Sequence, residues 1–313
     1  MKRYFRELSV AAVLFFVLAL LAVLAPAFYE PQPLLSLLTR EAPTLVLASG
    51  MAVVMIARQI DISVGSQFSI CSVSAGLLAA AHWPVGWVLL ASIGLGAALG
   101  AINGLLIAGL GLPSIVVTLA MMVTLRQGLN LVRQGEFVTL PDGLQWLGLN
   151  QAAGQFALIL ATLGLVAILA FALRHLVAGR VVYAVGSDPE AARLAGLRPQ
   201  LVTFLVFVVM GALVGLAALM NVVQSPQVQP LTGTGLELKV IAAVVVGGVA
   251  ISGGRGHLWG VVAGLLLLAC VSPALIHLRV EAHWEKAVQG GIILLAAAAD
   301  GLRVRGRRDR AGT

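Results

Sequence analysis

The sequence predicts an all-α, polytopic membrane protein of about ten transmembrane helices, forming a single transmembrane domain over residues 1–313. Two observations predict it. Only 11% of residues are charged and 60% are hydrophobic, with a mean hydropathy of +1.01. Soluble domains carry about 25% charged residues, so a soluble fold is excluded. The apolar residues also fall into runs near the ~20 residues that a bilayer-crossing helix needs. The 35 glycines fit helices that approach one another closely.

Taken in order, the runs are 8–28, 43–57, 66–82, 86–107, 113–131, 154–173, 201–223, 237–251, 258–277 and 285–301. The first follows a basic start, MKRYFREL, and has an APA near Ala27, as a cleaved signal does. It is long enough to span and many spans follow, so it reads as a retained first helix. The runs 43–57 and 237–251 are short for a hydrocarbon core of about 30 Å. The first ends in RQIDISVGS and the second carries GGVAISGG. Short, Gly-interrupted segments in corresponding halves mark broken helices around a transport pathway. Spans 2–5 and 7–10 start on opposite sides of the membrane and are candidates for an inverted repeat. With both termini cytoplasmic, 14 of the 20 Lys and Arg residues lie inside, which satisfies the positive-inside rule.

Segment 174–200 is the longest charged loop and falls on the cytoplasmic side. Within it, SDPEAARLAGLRP reads as a short, deliberately bounded helix. Ser187 and Glu190 have the S-x-x-E spacing of a capping box, Pro189 suits the first turn, and Gly196 suits the residue after the helix. The alternative is a helix lying on the bilayer. The apolar face of Ala191, Ala192, Leu194 and Ala195 is too small for strong membrane affinity and suits docking into a groove on another protein.

Polar residues inside spans are the other candidates. Asp61 reads either as a gate in the pathway, since intramembrane carboxylates are costly, or as a helix cap, with its oxygen or that of Ser63 accepting backbone N–H groups. The two roles are compatible. Asn103, Thr118, Gln127, Asn130 and Asn221 can serve hydroxyls of a solute or bond between helices. Arg126 faces protein or snorkels outward, and Glu237 and Lys239 open the eighth span. Cys71 and Cys270 read as small core residues. The five histidines stand singly, so no metal site is predicted. Basic residues without aromatic interleaving give no nucleic-acid surface. GGVAISGGRGHLWG lacks the Lys-Ser/Thr of a phosphate loop, and no G-x-x-x-x-G-K-[ST] occurs, so no ATP site is expected in this chain. The tail RVRGRRDRAGT reads as a cytoplasmic segment meeting anionic lipid.

The loop GRVVYAVGSDPEAARLAGLRP resembles the coupling segment of ribose-type permeases of ATP-binding-cassette importers, the second carbohydrate uptake family. IDISVGS around Asp61, INGLLIAGLGLPSIVVTLAMMVTLRQGL at 102–129, GTGLELKVIAAVVVGGVAISGGRG at 233–256 and VQGGIILLAAAADG at 288–301 agree with that family in order. The resemblance implies a type II importer-like fold in the bacterial inner membrane. It implies a second permease copy or paralogue, a cytoplasmic ATPase that binds ATP and grips each coupling helix, and a periplasmic or lipid-anchored sugar-binding protein. On this sequence the ATPase-facing residues are Ser187, Asp188, Glu190, Arg193 and Gly196. Lys239 and Trp284 place the chain nearest the rhamnose and autoinducer-2 branch. The chain is then a transport subunit and not an enzyme. Rival readings are a branched-chain amino-acid permease and an ion-coupled secondary transporter. The latter needs a carboxylate or His relay, to which only Asp61 comes near. An intramembrane enzyme has no Ser/His, paired-carboxylate or HExxH arrangement behind it.

The topology is open to a direct check. Reporter fusions after residues 140 and 190 should read outside and inside respectively, and the opposite result would remove the cytoplasmic loop on which the coupling assignment depends.

Overall fold

The computed structural model describes residues 5–24 and 26–277 and a few isolated positions between 284 and 294. The tenth expected span, 285–301, and the basic tail from Arg303 lie almost wholly outside the described residues. The described chain is helical nearly throughout. Helix α1 runs Phe5–Leu24, α2 Pro31–Ile56, α3 Val64–Ala80, α4 Val85–Leu110, α5 Ser114–Arg133 and α6 Gln151–His175. Then come α7 Val177–Ser187, α8 Pro189–Leu194, α9 Pro199–Val222, α10 Leu236–Val246, α11 Leu258–Ala269 and α12 Val271–His277. Among the described residues six stretches are long and apolar enough to cross a membrane: α2, α4, α5, α6, α9 and Leu258–Leu275. Helix α3 and Leu14–Val23 of α1 are apolar but shorter.

The second span is longer than the sequence suggested. It starts at Pro31, twelve residues before the expected 43, and Pro43 lies inside it. Pro31 and Pro33 sit in the first turn, where a missing N–H costs nothing. The charges Arg40 and Glu41 lie within this helix, where Glu41 meets a partner across the bundle, Lys239 of α10. Helix α10 is short as expected, at 11 residues. It ends at Gly247, whose Cα side lies against the backbone of Gly260 and Val261 in α11.

Helix α2 is the inner member of the bundle. Val46, Leu47, Met51, Val54 and Ile56 have no more than trace exposure. Helices α4, α5 and α6 instead carry large exposed apolar side chains, among them Leu105, Val116, Leu160, Ile168 and Phe171. Such faces are stable against lipid and not against water.

The closest helix pair is α4 with α9, which run antiparallel. Gly96, Gly100 and Gly104 lie against Gly211, Phe207 and Phe204 in turn. A Cβ at Gly96 or Gly211 would collide with the other's carbonyl oxygen. Gly96, Gly100 and Gly104 on α4 and Gly211 and Gly215 on α9 are small residues spaced by four, which lets backbones touch. Ser92 Oγ donates to Gly215 O at 2.8 Å across the same seam.

One feature carried no sequence signal. Val138–Thr139 (β1) pairs antiparallel with Gln227–Val228 (β2), Val138 opposite Val228. The two-residue ladder ties the connection after α5 to the one after α9. It packs Val138, Leu140 and Val228 on Gly76 of α3.

Candidate functional site

Two breaks in the helices come together at the start of α3 inside the bundle. The first is residues 57–63, between α2 and α3. Asp61 and Ser63 there have no exposure. Asp61 Oδ1 accepts the Ser63 N–H at 2.9 Å and the Ser63 hydroxyl at 2.6 Å, and Oδ2 accepts Gln67 Nε2 at 3.3 Å. Ser63 Oγ in turn accepts Gln67 Nε2 at 2.7 Å and Asn103 Nδ2 at 2.9 Å. The carboxylate therefore shapes the turn into α3, and the serine hydroxyl joins α3 to α4.

This corrects the capping expectation. Ser63 stands at the N-cap position of α3 with no side-chain bond to a helix N–H. Asp61 binds the N–H of Ser63 itself, one residue before the helix. Asn103 Oδ1 and Gln67 Oε1 are buried there without a partner among the described residues.

Thr118 is fully buried, with its hydroxyl on Ser114 O at 2.8 Å and beside Ile60 O at 3.4 Å. Asp61, Ser63, Asn103 and Thr118 thus converge on one break, as the sequence grouping did not show. Asn221 is in the last turn of α9, near the β2 end, and belongs to no such cluster.

The second break is residues 229–235, which lead into α10. Its backbone reaches the first turn of α3. Gly233 N donates to Ser69 Oγ at 3.0 Å, and a Cβ on Gly65 would collide with Gly233 O and Glu237 Oε2. Glu237 in the first turn of α10 accepts Arg126 Nη2 of α5 at 3.0 Å. Arg126 is therefore an interior partner and not a snorkelling side chain. Two residues on, Lys239 Nζ meets Glu41 Oε1 of α2 at 2.7 Å. The first turn of α10 is held by opposite charges from two different helices. Sequence reasoning missed these pairings. Each joins residues 111 or 198 positions apart, and no local pattern links them.

At one end of the bundle lies the polar helix α8. Its start differs from the capping-box expectation. Ser187 is the last residue of α7, and Asp188 is the N-cap, its Oδ1 accepting the N–H of Glu190 and of Ala191 at 3.0 Å each. Glu190 does not reach back. It pairs forward with Arg193, Nη2 to Oε1 at 2.6 Å and Nε to Oε2 at 3.0 Å. The Arg193 guanidinium holds the exposed Glu190 carboxyl below the usual carboxylate range.

The helix stops as read. Gly196 has φ +84°, a left-handed conformation that suits glycine. Leu197 N donates to Ala192 O and Gly196 N to Arg193 O, the paired closing bonds of a Schellman end. Ala192 faces the protein, whereas Glu190, Arg193 and Leu194 are exposed.

The join between this end and the bundle is backbone on backbone. A Cβ on Gly186 would collide with Ile56 O, the end of α2, and would crowd Gly254 N. Gly254 N itself donates to Ile56 O at 2.8 Å. A Cβ on Gly254 would meet Ser187. Tyr183 Oη donates to Gly256 O at 2.6 Å. The ends of α2 and α7 and the loop after α10 thus meet at one point, Gly186 and Ser187, two to three residues before α8.

Comparison with known proteins gives these features a family. Residues 34–297 match the family described as branched-chain amino acid transport system / permease component. The chain belongs to this permease family. It is 35% identical over 297 residues to the autoinducer 2 import system permease protein LsrC of Enterobacter sp. (strain 638), covering 95% of this chain and 87% of that one. It is 30% identical over 305 residues to the ribose import permease protein RbsC of Escherichia coli (strain K12), covering 96% and 95%. These relatives are carbohydrate-type import permeases, as the coupling-loop resemblance implied. No solved structure matches the chain.

The Asp61 network yields a graded expectation. Asp61→Asn keeps an acceptor at Oδ1 for Ser63, whereas Asp61→Leu leaves the Ser63 and Gln67 donors buried and unmet, at about 1–3 kcal/mol for each. Transport and thermal stability should fall less in Asn than in Leu. Equal and complete loss of transport in both, with normal insertion, would instead make the charge itself essential.

Proposed function

We propose that this chain is the membrane permease subunit of an ATP-binding-cassette importer for a monosaccharide or sugar-like solute, with autoinducer-2 and rhamnose the favoured cargoes. The observation that carries the proposal is α8: a helix bounded at both ends, charged on its exposed face, and joined without slack to the end of α2. Resemblance of the surrounding loop to sugar-importer coupling segments, and the names of the two relatives, support the sugar class. The family description also names branched-chain amino acids. That alternative gains nothing further from the residues of this chain.

In this reading the chain crosses the inner membrane ten times as one domain, with both termini cytoplasmic and spans 2–5 and 7–10 forming an inverted repeat. A cytoplasmic ATPase docks on Ser187, Asp188, Glu190, Arg193 and Gly196. A binding protein delivers the solute outside, and a second permease copy or paralogue completes the pathway. Chemistry belongs to the ATPase. The permease supplies a path whose candidate gate is the Asp61–Ser63–Asn103 break with Thr118 beside it, together with Glu237. Asn221 stands apart from both.

The mechanism follows from stiffness. A push on α8 is transmitted through Gly186 to Ile56, because no compressible side chain lies between them. Helix α2 then carries the displacement to Glu41 and so to α10.

Two measurements test the proposal. Reconstituted with the ATPase and binding protein, the permease should import one of autoinducer-2, rhamnose or ribose, and import of leucine alone would overturn the sugar class. Glu190→Ala combined with Arg193→Glu removes an exposed pair and reverses a charge on the docking face. The double variant should insert normally yet lose ATP-coupled uptake, and normal uptake with normal ATPase co-purification would exclude α8 as the coupling element.

A further inference from the structure

The Glu41–Lys239 pair borders a cleft of about 230 Å³ between α2, α10 and the α11–α12 junction. Its polar lining is Arg40, Glu41, Thr44, Lys239 and Ser272, with Leu268 and Ala269 forming an apolar wall. Drug-sized ligands occupy about 300–1,000 Å³, so this volume suits a smaller solute. Thr44 lies twelve residues before Ile56 on an unbroken helix, which places the cleft about 18 Å from the α8 end. That is toward the opposite face of a hydrocarbon core of about 30 Å.

Helix pairing alone does not account for this lining. Glu41 is 5% exposed, and Lys239 takes only its Oε1. Oε2 is buried with no partner among the described residues. Leaving a buried charged acceptor unmet is costly, and a buried ion pair adds little stability over apolar packing. An ionisable residue with a free acceptor inside a membrane span is a candidate for a solute path. The free oxygen of a carboxylate accepts and does not donate. It therefore calls for a ligand that brings donor hydrogens, while the Arg40 and Lys239 cations beside it disfavour an ammonium group. Thr44 and Ser272 hydroxyls donate or accept, Arg40 and Lys239 donate, and Leu268 with Ala269 offers a surface for C–H faces. We infer that this cleft is a solute subsite of the permease itself, which takes a neutral polyhydroxylated molecule of monosaccharide size through Glu41 and Lys239. The inference rests on the importer reading and adds that the permease contributes to solute recognition.

The test uses the complete transporter with four labelled solutes: ribose, rhamnose, autoinducer-2 and leucine. Glu41→Gln should lower uptake of the transported sugar by about tenfold to a hundredfold, the cost of weakening a charge-assisted hydrogen bond. Glu41→Gln with Lys239→Met removes the whole ion pair without stranding a charge. For a pair that only holds or links α2 and α10, the variants lower the maximal uptake rate with the KM for the sugar unchanged, and for a solute subsite they raise that KM. An unchanged KM in both variants would overturn the inference. In addition, Ser272→Cys, partly exposed in the same cleft, should react with a water-soluble maleimide, and the transported sugar should slow that reaction. Sugar uptake with unprotected labelling and normal uptake by Glu41→Gln would reject the subsite and leave the importer reading intact. Uptake of leucine alone, or of none of the four, would reject both.

Discussion

The contact on which the rest of the structure depends is between Gly186 and Ile56. At this point α7 ends two residues before α8 begins, and α2 ends with its last carbonyl against the α7 backbone. Any side chain at 186 would separate them. Gly254 closes the same point from a third direction by donating to Ile56 O. Three chain segments far apart in sequence are thereby fixed with no side chain between them. Such backbone junctions transmit displacement because packed interiors do not compress. A docking helix attached through long, flexible side chains would instead lose the motion in rotamer changes.

From this junction α2 rises as the buried inner helix, and its far half meets α10 through Glu41 and Lys239. The first turn of α10 is also tied to α5 through Glu237 and Arg126. Charge pairs between helices are expensive to form in a membrane interior and strongly disfavour partial separation, since either partner alone is left uncompensated. They give α10 two preferred contacts and not a continuum of positions. At the breaks, the groups that face the bundle, Asp61, Ser63 and Gly233, are buried among protein, where a membrane tolerates irregular backbone. The proposed displacement then passes through rigid parts, namely α2 and the α4–α9 seam, to parts with limited alternative contacts, namely the breaks and the first turn of α10.

Much of this was legible in the sequence because it was local. Apolar run lengths located α3, α4, α5, α6 and α9 to within a few residues. The stop of α8 was readable from Gly196, whose left-handed conformation few other residues adopt. Its start was misplaced by one residue for a physical reason. Ser187 and Asp188 are both competent caps, and α7 extends through Ser187, where Gly254 packs on it, so the cap falls to Asp188 with Pro189 at the first helical position. The early start of α2 was hidden by Pro31, Pro33, Arg40, Glu41 and Pro43, all residues that locally signal a loop. Glu41 is buried inside that helix against Lys239, 198 positions away, a partner that no local pattern announces. The convergence of Asn103 and Thr118 on Asp61, the β1–β2 ladder and the Arg126–Glu237 pair are long-range facts of the same kind. Periodicity reports which face of a helix is apolar, and it carries no information on which distant residue that face will meet.

The central claim is that a backbone junction couples α8 to α2, and Gly186→Ala tests it most directly. The added methyl group must push the end of α7 away from Ile56 while leaving the exposed face of α8 unchanged. In protein that inserts and retains the ATPase as the native chain does, uptake per ATP hydrolysed should fall sharply while ATP hydrolysis continues. Native coupling in Gly186→Ala would contradict the account.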